Sequence, residues 1–397
     1  MLEQQKNRLT FKKRKYKFFQ NFVQNNLFAD KVKQLAQNTY EFENPQLVKI
    51  NRFNGKKIKT VFVFSYQDDF ILKAMNNLMC EQYSHLISPA CFSFQKNKGA
   101  KDAFKFVLAD KHINEKHCLK IDISNFFNSI CVEDFFSILP NEIKSNNILY
   151  SVLQKIYLNP FAIENGALKK PQKGLMAGCA TTPFLTNIYL RELDDYFTSQ
   201  KVTYCRYSDD IIIFDTKDNI DEHYRYIKHF LVEKKLKINE QKTIILPAAQ
   251  KWTFLGFSFI NKKIDISVVS FNKMKQKIKR MSRKYNKKLK NGRFSEDEVL
   301  HYFIKRINRK IFGNTQQPND LCWARWYFPL INTDETLIKI DKYIQQRIRY
   351  SVCGRFSKKN FKKIPYKILK AHGYTPLVYA YYKFKKNKIQ TFKELVD

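Results

Sequence analysis

The sequence has no closely spaced pair of cysteines and no long apolar run. Its eight cysteines are scattered and form no Cys-x-x-Cys motif, which excludes a zinc ribbon and a disulfide framework and predicts reduced thiols. No run approaches about 18 consecutive apolar residues, and the N-terminus is too basic and polar to contain the apolar part of a signal peptide. We therefore expect a soluble, cytoplasmic protein with no membrane partner.

Acidic residues are also scarce. The chain has 36 Asp and Glu against 72 Lys and Arg, a formal charge of +36, and 34 of the basic residues but only 10 of the acidic ones lie in residues 261–397. Such a field attracts polyanions and suits binding to a nucleic-acid backbone better than binding to an acidic membrane. The alternative is a surface on which lysines only solvate the protein, but a uniform bias of that kind would not be concentrated in one region.

The chain has no internal repeat and no low-complexity linker. With 44% hydrophobic residues and 35 Phe, it can bury enough apolar surface to fold. Alternation around Asn54-Gly55 predicts a β-hairpin, because this pair supplies the positive φ angles of a tight turn. Other patterns predict an α+β sheet unit followed by a basic helical module. The main predicted helices are 12–28, 68–83, 181–196, 222–235, 271–290, 301–311, 336–350 and 365–382, and the main predicted strands are 118–123, 202–207, 211–215, 254–259 and 263–266.

Three carboxylates stand at predicted strand ends. Asp122 closes a short apolar run, while Asp209 and Asp210 lie between the strands 202–207 and 211–215. Carboxylates forced together at a sheet end repel one another unless a cation lies between them. Oxygen ligands without nearby His or Cys favour Mg²⁺ or Mn²⁺. The alternative is an ordinary Ser-Asp-Asp turn with no bound ion.

Five motifs in the same order make the sequence similar to the bacterial reverse transcriptases of the group II intron-like lineage. The resemblance extends from about residue 47 to residue 259. The motifs are DISNFFNSI (122–130), GLMAG with TPFLTNIYL (174–178 and 182–190), YSDD (207–210), LKIN with KT (236–239 and 242–243), and FLGF (254–257).

This resemblance implies a right-hand polymerase of the α+β class that makes DNA from dNTPs on an RNA template. We expect a basic N-terminal helical segment (1–40), fingers (41–110), a palm with an antiparallel sheet (111–262), and a basic all-α thumb and C-terminal extension (263–397). The enzyme would be a nucleotidyltransferase that uses two Mg²⁺ ions, with Mn²⁺ as a possible substitute.

The family pattern also assigns roles to single residues. Asp122 and Asp209 are expected to bridge the two metals, with Asp210 as a weaker third carboxylate and Ile123 beside them in the metal-binding set. Lys242 resembles a lysine that protonates the leaving pyrophosphate, although it could be only a surface charge.

Further assignments concern the substrates. Phe127 falls where the family places an aromatic ring under the sugar, which would favour dNTPs over NTPs; the alternative is a core residue. Lys59 and Arg52 on the hairpin are candidates for binding the triphosphate, or else form a solvated edge. Gly178 is expected to be part of the nucleotide-binding site. Gln95 stands where the family usually has Arg. The expected primer and template contacts are Tyr207, Phe254, Leu255, Gly256 and Gln95.

The C-terminal helices resemble the extension of defence-associated, abortive-infection-type reverse transcriptases. That resemblance implies bacterial antiviral defence, with a structured non-coding RNA template and nascent DNA as partners and an oligomer as a possibility. Met176-Ala177 stands where Pro-Gln is usual, which leaves an untemplated or protein-primed DNA polymerase as one alternative. A non-catalytic, maturase-like RNA-binding protein is the other.

Overall fold

The computed structural model describes residues 13–52, 57–96, 98–171, 174–313 and 322–387, without the side chains at 13–17, 51–52, 57 and 387. The chain divides into two compact units, and the boundary lies between Gln250 and Lys251. Within the described ranges, no helix combines the length and the apolar character needed to cross a bilayer.

The first unit is a mixture of helices and strands. Its helices are α1 (Lys13–Gln24), α2 (Leu27–Ala36), α3 (Tyr66–Gln82), α4 (Ala100–Leu108), α5 (Phe126–Ser129), α6 (Val132–Ile138), α7 (Asn141–Lys144), α8 (Asn147–Tyr157), α9 (Thr182–Tyr189), α10 (Arg191–Ser199) and α11 (Lys217–Glu233). Its strands are β1 (Gln46–Arg52), β2 (Lys57–Val63), β3 (His117–Asp122), β4 (Ala162–Glu164), β5 (Ala167–Lys169), β6 (Thr203–Tyr207), β7 (Asp210–Asp215) and β8 (Ile244–Leu246).

The central sheet of this unit has the strand order β6-β7-β3-β8, and all its neighbouring strands are antiparallel. Ile211 to Phe214 of β7 are all fully buried, so this strand is covered on both faces. Leu119 and Ile121 of β3 belong to the same apolar core as the helices α9 and α10. Burial on both faces fixes the register, since a slip of one residue would move every side chain to the opposite face.

A second sheet has the strand order β2-β1-β4-β5. The predicted hairpin is confirmed as the antiparallel pair β1 and β2, which runs from Gln46 opposite Val63 to Arg52 opposite Lys57. The predicted turn at Asn54-Gly55 lies outside the described residues.

Two predicted helices of this unit are each divided in two. The segment predicted as one helix over 12–28 ends at Gln24 and restarts at Leu27, because Asn26 takes a left-handed conformation with a φ of 54°. The helix predicted over 181–196 is interrupted at Leu190, where φ is −100° and ψ is 11°. Pro183 does lie in the first turn of α9, as predicted, where its missing N–H costs nothing.

The second unit begins with a three-stranded antiparallel sheet, β9 (Trp252–Phe254), β10 (Phe257–Ile260) and β11 (Lys263–Ile266). The single strand predicted over 254–259 is wrong, because Leu255 and Gly256 form a turn with φ angles of 49° and 94°. This sheet precedes the helices. The assignment of residues 251–262 to the palm stays a prediction.

Helices make up the rest of the second unit. They are α12 (Val268–Lys290), α13 (Glu296–Phe312), α14 (Trp323–Tyr327), α15 (Glu335–Cys353), α16 (Lys359–Lys363), α17 (Tyr366–Ala371) and α18 (Leu377–Asn387). The helix predicted over 365–382 is instead two helices, since α17 ends at Ala371 before Gly373, whose φ is 80°. Met274 and Ile278 of α12 are buried at the spacing of one helix face. An α+β fold with a helical C-terminal part is therefore confirmed.

Candidate active site

The three predicted carboxylates come together at one end of the central sheet. Asp122 ends β3 and lies directly opposite Asp210, the first residue of β7, in the antiparallel pairing. Asp209 lies in the turn before β7, and its carbonyl accepts a hydrogen bond from the Ile123 N–H at 3.1 Å. Ser208 enters this turn with a φ of 62°. The strand register thus brings together residues that are about ninety positions apart in the chain.

A loop after α11 covers Asp122. The Asn239 side-chain amide donates to Oδ2 of Asp122 at 2.9 Å, and the Lys242 ammonium forms an ion pair with Oδ1. The backbone N–H of Asn239 also donates to the Asp122 carbonyl at 2.7 Å. The structure thus brings Lys242 into the predicted site. It also adds Asn239, which the sequence marked only as part of a motif and to which it gave no role.

Burial raises the proton affinity of the two neighbouring carboxyl groups. The pKa of Asp210 is raised to about 6, mainly by burial, with the charges of Asp209 and Asp122 adding to the effect and Lys120 opposing it. Burial also raises the pKa of Asp209, and the charge of Asp122 adds to it. Like charges in a desolvated site are the arrangement that a bound cation stabilises.

The donor types fit a hard divalent ion, since carboxylate oxygens are the ligands that Mg²⁺ and Mn²⁺ prefer. Among the described residues, no three His, Cys, Asp or Glu side chains are close enough together to hold a metal ion. Lys242 and Asn239 each engage one oxygen of Asp122 instead. The chemistry of the three aspartates therefore suits the predicted ions, and Asp122 forms an ion pair with the Lys242 ammonium.

Phe127 and Lys59 lie near each other. The Lys59 Nζ atom is 5.5 Å from the centre of the Phe127 ring, a distance typical of a cation–π contact. Phe126 is 3% exposed and belongs to the core, whereas Phe127 is half-buried. Arg52 was predicted beside Lys59, but its side chain lies outside the described residues.

The loop 174–179 connects this region to the hairpin strand β2. The Phe62 N–H donates to the Ala177 carbonyl at 2.8 Å, and the Ala177 N–H donates to Asn128 Oδ1 at 2.9 Å. Gly178 has a φ of 116°, and a Cβ atom there would lie 2.4 Å from the Phe62 carbonyl oxygen. Close packing against β2 therefore requires a glycine at this position. Asn128 is a second residue whose bridging role the sequence did not reveal.

Residues 91–96 are hydrogen-bonded to β6, the strand that leads into the YSDD turn. The Phe92 N–H donates to the Arg206 carbonyl at 2.9 Å, and the Arg206 N–H donates to the Ala90 carbonyl at 3.0 Å. The Gln95 side chain donates to the Cys91 carbonyl, so this predicted template contact is engaged within its own loop. The half-buried ring of Tyr207 lies 6.4 Å from that of Phe94.

A fully buried ion pair joins Arg206 of β6 to Asp194 of α10. The Arg206 guanidinium donates from Nε to Asp194 Oδ1 at 2.7 Å and from a terminal nitrogen to Oδ2 at 2.5 Å. It also donates to the carbonyl oxygens of Asn187 at 3.2 Å and Ser208 at 3.4 Å. Because it reaches the first residue of the turn, the pair helps to orient Asp209. Its two members lie on different elements, and no local pattern in the sequence signals their contact.

The remaining predicted contacts, Phe254, Leu255 and Gly256, belong to the second unit. Phe254 is fully buried, and Leu255-Gly256 forms the turn between β9 and β10. The Gly256 carbonyl accepts from the Ser267 N–H at 2.9 Å, which holds this turn against the start of α12. Within this unit the three residues therefore have a structural explanation, and their predicted role at the primer stays a prediction.

Comparison with known proteins identifies a family for a central segment that lies mostly in the first unit. Residues 66–259, which include the three aspartates, match the family model described as reverse transcriptase (RNA-dependent DNA polymerase). These residues form a reverse transcriptase domain. The match confirms the resemblance that the five motifs indicate.

Individual relatives of the reverse transcriptase domain are distant. The group II intron-encoded protein LtrA of Lactococcus lactis subsp. cremoris is 24% identical over 229 residues, which are 56% of this chain and 37% of LtrA. The retron Ec83 reverse transcriptase of Escherichia coli is 26% identical over 192 residues, 46% of this chain and 58% of the relative. The chain thus spans between about a third and three fifths of the length of these two relatives.

Among solved structures, apo telomerase from Candida tropicalis covers 94% of this chain and 72% of its own, at 11% identity and a TM-score of 0.47. A likeness of that size is too low to support a conclusion about function. The family match and the arrangement of the three aspartates are the observations on which a functional proposal can rest.

Proposed function

We propose that this protein is an RNA-directed DNA polymerase that extends a DNA strand from dNTPs along an RNA template. The observation that carries the proposal is the pairing of Asp122 with Asp210, with Asp209 in the adjacent turn, inside a reverse transcriptase domain. A scaffold that only binds RNA would not require three neighbouring, mutually repulsive carboxylates in a partly buried place. The same arrangement therefore argues against a purely maturase-like role.

The reaction joins the primer 3′ oxygen to the α-phosphorus of the dNTP and breaks the bond to the bridging oxygen, so that pyrophosphate leaves. Asp122, Asp209 and Asp210, with the Ile123 carbonyl, would hold two Mg²⁺ ions, which supply activation of the 3′ hydroxyl and neutralisation of the leaving oxygen. Lys242 contacts Asp122 and, in this proposal, would donate a proton to the pyrophosphate. Asn239 holds the Asp122 carboxylate in orientation.

The choice of nucleotide follows from Phe127 and Lys59. A half-buried ring under the sugar would collide with a 2′ hydroxyl, which favours dNTPs over NTPs. The Lys59 ammonium, 5.5 Å from the ring centre, can neutralise the triphosphate of the same nucleotide. The alternative is that Lys59 is only a solvated residue at the hairpin edge. Replacement of Lys59 should raise the KM for dNTPs if it binds the triphosphate, and should leave the KM unchanged if it does not.

A primer-extension assay tests the catalytic proposal. The purified protein is given an RNA template, a DNA primer and dNTPs, with Mg²⁺ or with EDTA. We expect Asp209→Ala/Asp210→Ala to abolish incorporation while RNA binding is retained, and the exposed control Asp221→Asn to incorporate normally. Incorporation by the double variant at the wild-type rate would contradict the assignment of these carboxylates.

Sequencing of the DNA product distinguishes templated synthesis from untemplated or protein-primed synthesis. A product complementary to the RNA supports the proposal. A random or homopolymeric product would instead identify an untemplated or protein-primed polymerase.

We also infer that the biological setting is bacterial antiphage defence with a bound structured non-coding RNA. The similarity of the C-terminal helices to defence-associated reverse transcriptases supports this, as do relatives that are retron reverse transcriptases. In a host that carries the gene, we expect the wild type but not Asp209→Ala/Asp210→Ala to reduce phage plating. Equal plating, or the absence of one dominant RNA in the purified protein, would count against this setting.

A further inference from the structure

Two arginines of α15 are buried without an acidic partner. Arg347 and Arg349 are each 3% exposed. The Nε of Arg347 donates to Ser282 Oγ at 2.8 Å, and the Nε of Arg349 donates to the Ile364 carbonyl at 2.9 Å. Among the side chains that the structure describes, no carboxylate lies within ion-pair distance of either guanidinium. Burial accordingly lowers the pKa of both groups.

Buried guanidinium groups usually have a counter-charge, because desolvation of an unpaired cation is costly. Arg206 of the first unit follows that rule through Asp194. Arg347 and Arg349 instead donate to uncharged oxygens of the described residues, which do not balance their charge. An anionic ligand would supply that balance.

Aromatic rings cover both arginines. The guanidinium carbon of Arg349 is 4.3 Å from the centre of the Phe361 ring, which is 50% exposed. That of Arg347 is 4.2 Å from the centre of the Tyr350 ring, which stacks at 5.0 Å on Phe356. Phe356 is 60% exposed. Exposed rings backed by arginine are the arrangement on which unpaired nucleic-acid bases stack.

A cavity of about 340 Å³ lies at these rings, and its lining combines apolar and polar groups. Its lining includes Phe356 and Phe361 as stacking surfaces, Arg349 and Lys358 as cations, and Gln346 as an amide. Its volume is within the range of about 300–1,000 Å³ that is usual for ligand pockets. These groups match one nucleobase and one phosphate.

We propose that this cavity is a nucleotide-binding site in the second unit that holds an unpaired base together with its phosphate. An acidic peptide could balance the arginines, but it would leave both phenylalanine rings exposed. The nucleotide could come from single-stranded RNA or be free in solution. The proposal does not depend on polymerase activity, because its measurement is binding.

Binding to the full-length protein tests the proposal with three probes, a short fluorescent single-stranded RNA with a 5′ phosphate, adenosine 5′-monophosphate, and a poly-glutamate peptide. Elevated salt reduces the general attraction of a protein with a charge of +36. We expect Phe356→Ala/Phe361→Ala to weaken binding of a nucleotide probe about tenfold or more. Lys358→Glu, at the exposed rim, should also weaken it.

Tyr379→Ala is the matched control, because Tyr379 is also 60% exposed but does not line the cavity. Thermal unfolding checks that each variant is folded. If Phe356→Ala/Phe361→Ala loses affinity for the RNA probe alone, the nucleotide comes from RNA. If the double variant loses affinity for adenosine monophosphate, the site binds a free nucleotide. Unchanged affinity of the double variant for both nucleotide probes, an equal loss in Tyr379→Ala, or an effect confined to the peptide would overturn the proposal.

Discussion

Lys242 forms an ion pair with one oxygen of Asp122, and Asn239 donates to the other oxygen at 2.9 Å. The side chain of Lys242 is 49% exposed, whereas that of Asp122 is 6% exposed, so the ammonium group approaches the buried carboxylate from the solvent side. A cation in this position reduces the repulsion among the three aspartates. In the proposed mechanism it would act on a leaving group bound at the same carboxylates.

We predict that Lys242→Gln lowers the rate of nucleotide incorporation by about 100-fold, the lower end of what a general acid contributes. Primer and template binding should be unchanged, because the substitution removes one charge from a strongly basic chain. Single-turnover incorporation measures the rate across a pH series. Lys237→Gln, an exposed lysine of the same loop, is the control. A wild-type rate and pH profile in Lys242→Gln would exclude the role of proton donor.

The ring of Phe127 leads to a prediction about sugar selection. Phe127→Val should lower the preference for dNTPs over NTPs by about 10- to 100-fold, because the smaller side chain no longer meets a 2′ hydroxyl. The ratio of kcat/KM for a dNTP and the matching NTP is the measurement. Phe106→Val, at a 44% exposed ring on α4, should leave the ratio unchanged. An unchanged ratio in Phe127→Val would assign that ring to packing alone.

The approach of the three aspartates was predictable because each stands next to a short apolar run typical of a buried strand, and the five motifs support the same arrangement. The hairpin over β1 and β2 was predictable for a similar reason, since its alternation and its turn residues are local features. The division of the predicted helix at Leu190 was not, because neither proline nor glycine marks that position. Contacts between distant residues, such as Asn239 with Asp122, depend on the fold and leave no trace in a local pattern.

Gly178 gives a test of how the loop 174–179 is fastened to the hairpin. A Cβ atom at Gly178 would meet the Phe62 carbonyl at 2.4 Å, whereas one at Gly166 would meet nothing within 4 Å. Both glycines have positive φ angles, so an alanine costs about 1–2 kcal/mol of backbone strain at either position. We expect Gly178→Ala to cost about 1–3 kcal/mol more than Gly166→Ala, from overpacking.

Urea unfolding of the two alanine variants measures that difference. Since β2 carries Lys59, Gly178→Ala should also raise the KM for dNTPs, and Gly166→Ala should not. Equal unfolding free energies for the two variants would show that the loop moves away from β2 without cost.

Asp215, at the opposite end of β7 from Asp210, predicts an acid dependence of stability. Burial acts to raise its pKa, but hydrogen bonds from His223, the Thr216 N–H and Asn219 outweigh it and leave the pKa below the ordinary value of 3.8. The carboxylate therefore stabilises the folded state above that value, and this contribution is lost as the pH falls through the lowered pKa.

We expect Asp215→Asn to be less stable than the wild type at neutral pH, and the difference to shrink as the pH falls below 3.8. Urea midpoints over a pH series measure it. Asp221→Asn, at an exposed position on α11, should show no such trend. A difference between Asp215→Asn and the wild type that is constant across the series would contradict this prediction.

The buried pair of Arg206 and Asp194 supplies the clearest test of how the site is supported. Asp194 accepts from Arg206 at 2.7 Å and 2.5 Å and from the Tyr204 hydroxyl at 2.7 Å, all without exposure to solvent. Asp194→Asn would leave a buried guanidinium unpaired, which costs about 3–5 kcal/mol of unfolding free energy. The neighbouring Asp195 pairs with Arg191 at the surface, where such a contact contributes about 0–1 kcal/mol. Urea unfolding of Asp194→Asn and Asp195→Asn should therefore separate the two variants widely, and similar losses would mean that water or a rearranged side chain satisfies Arg206.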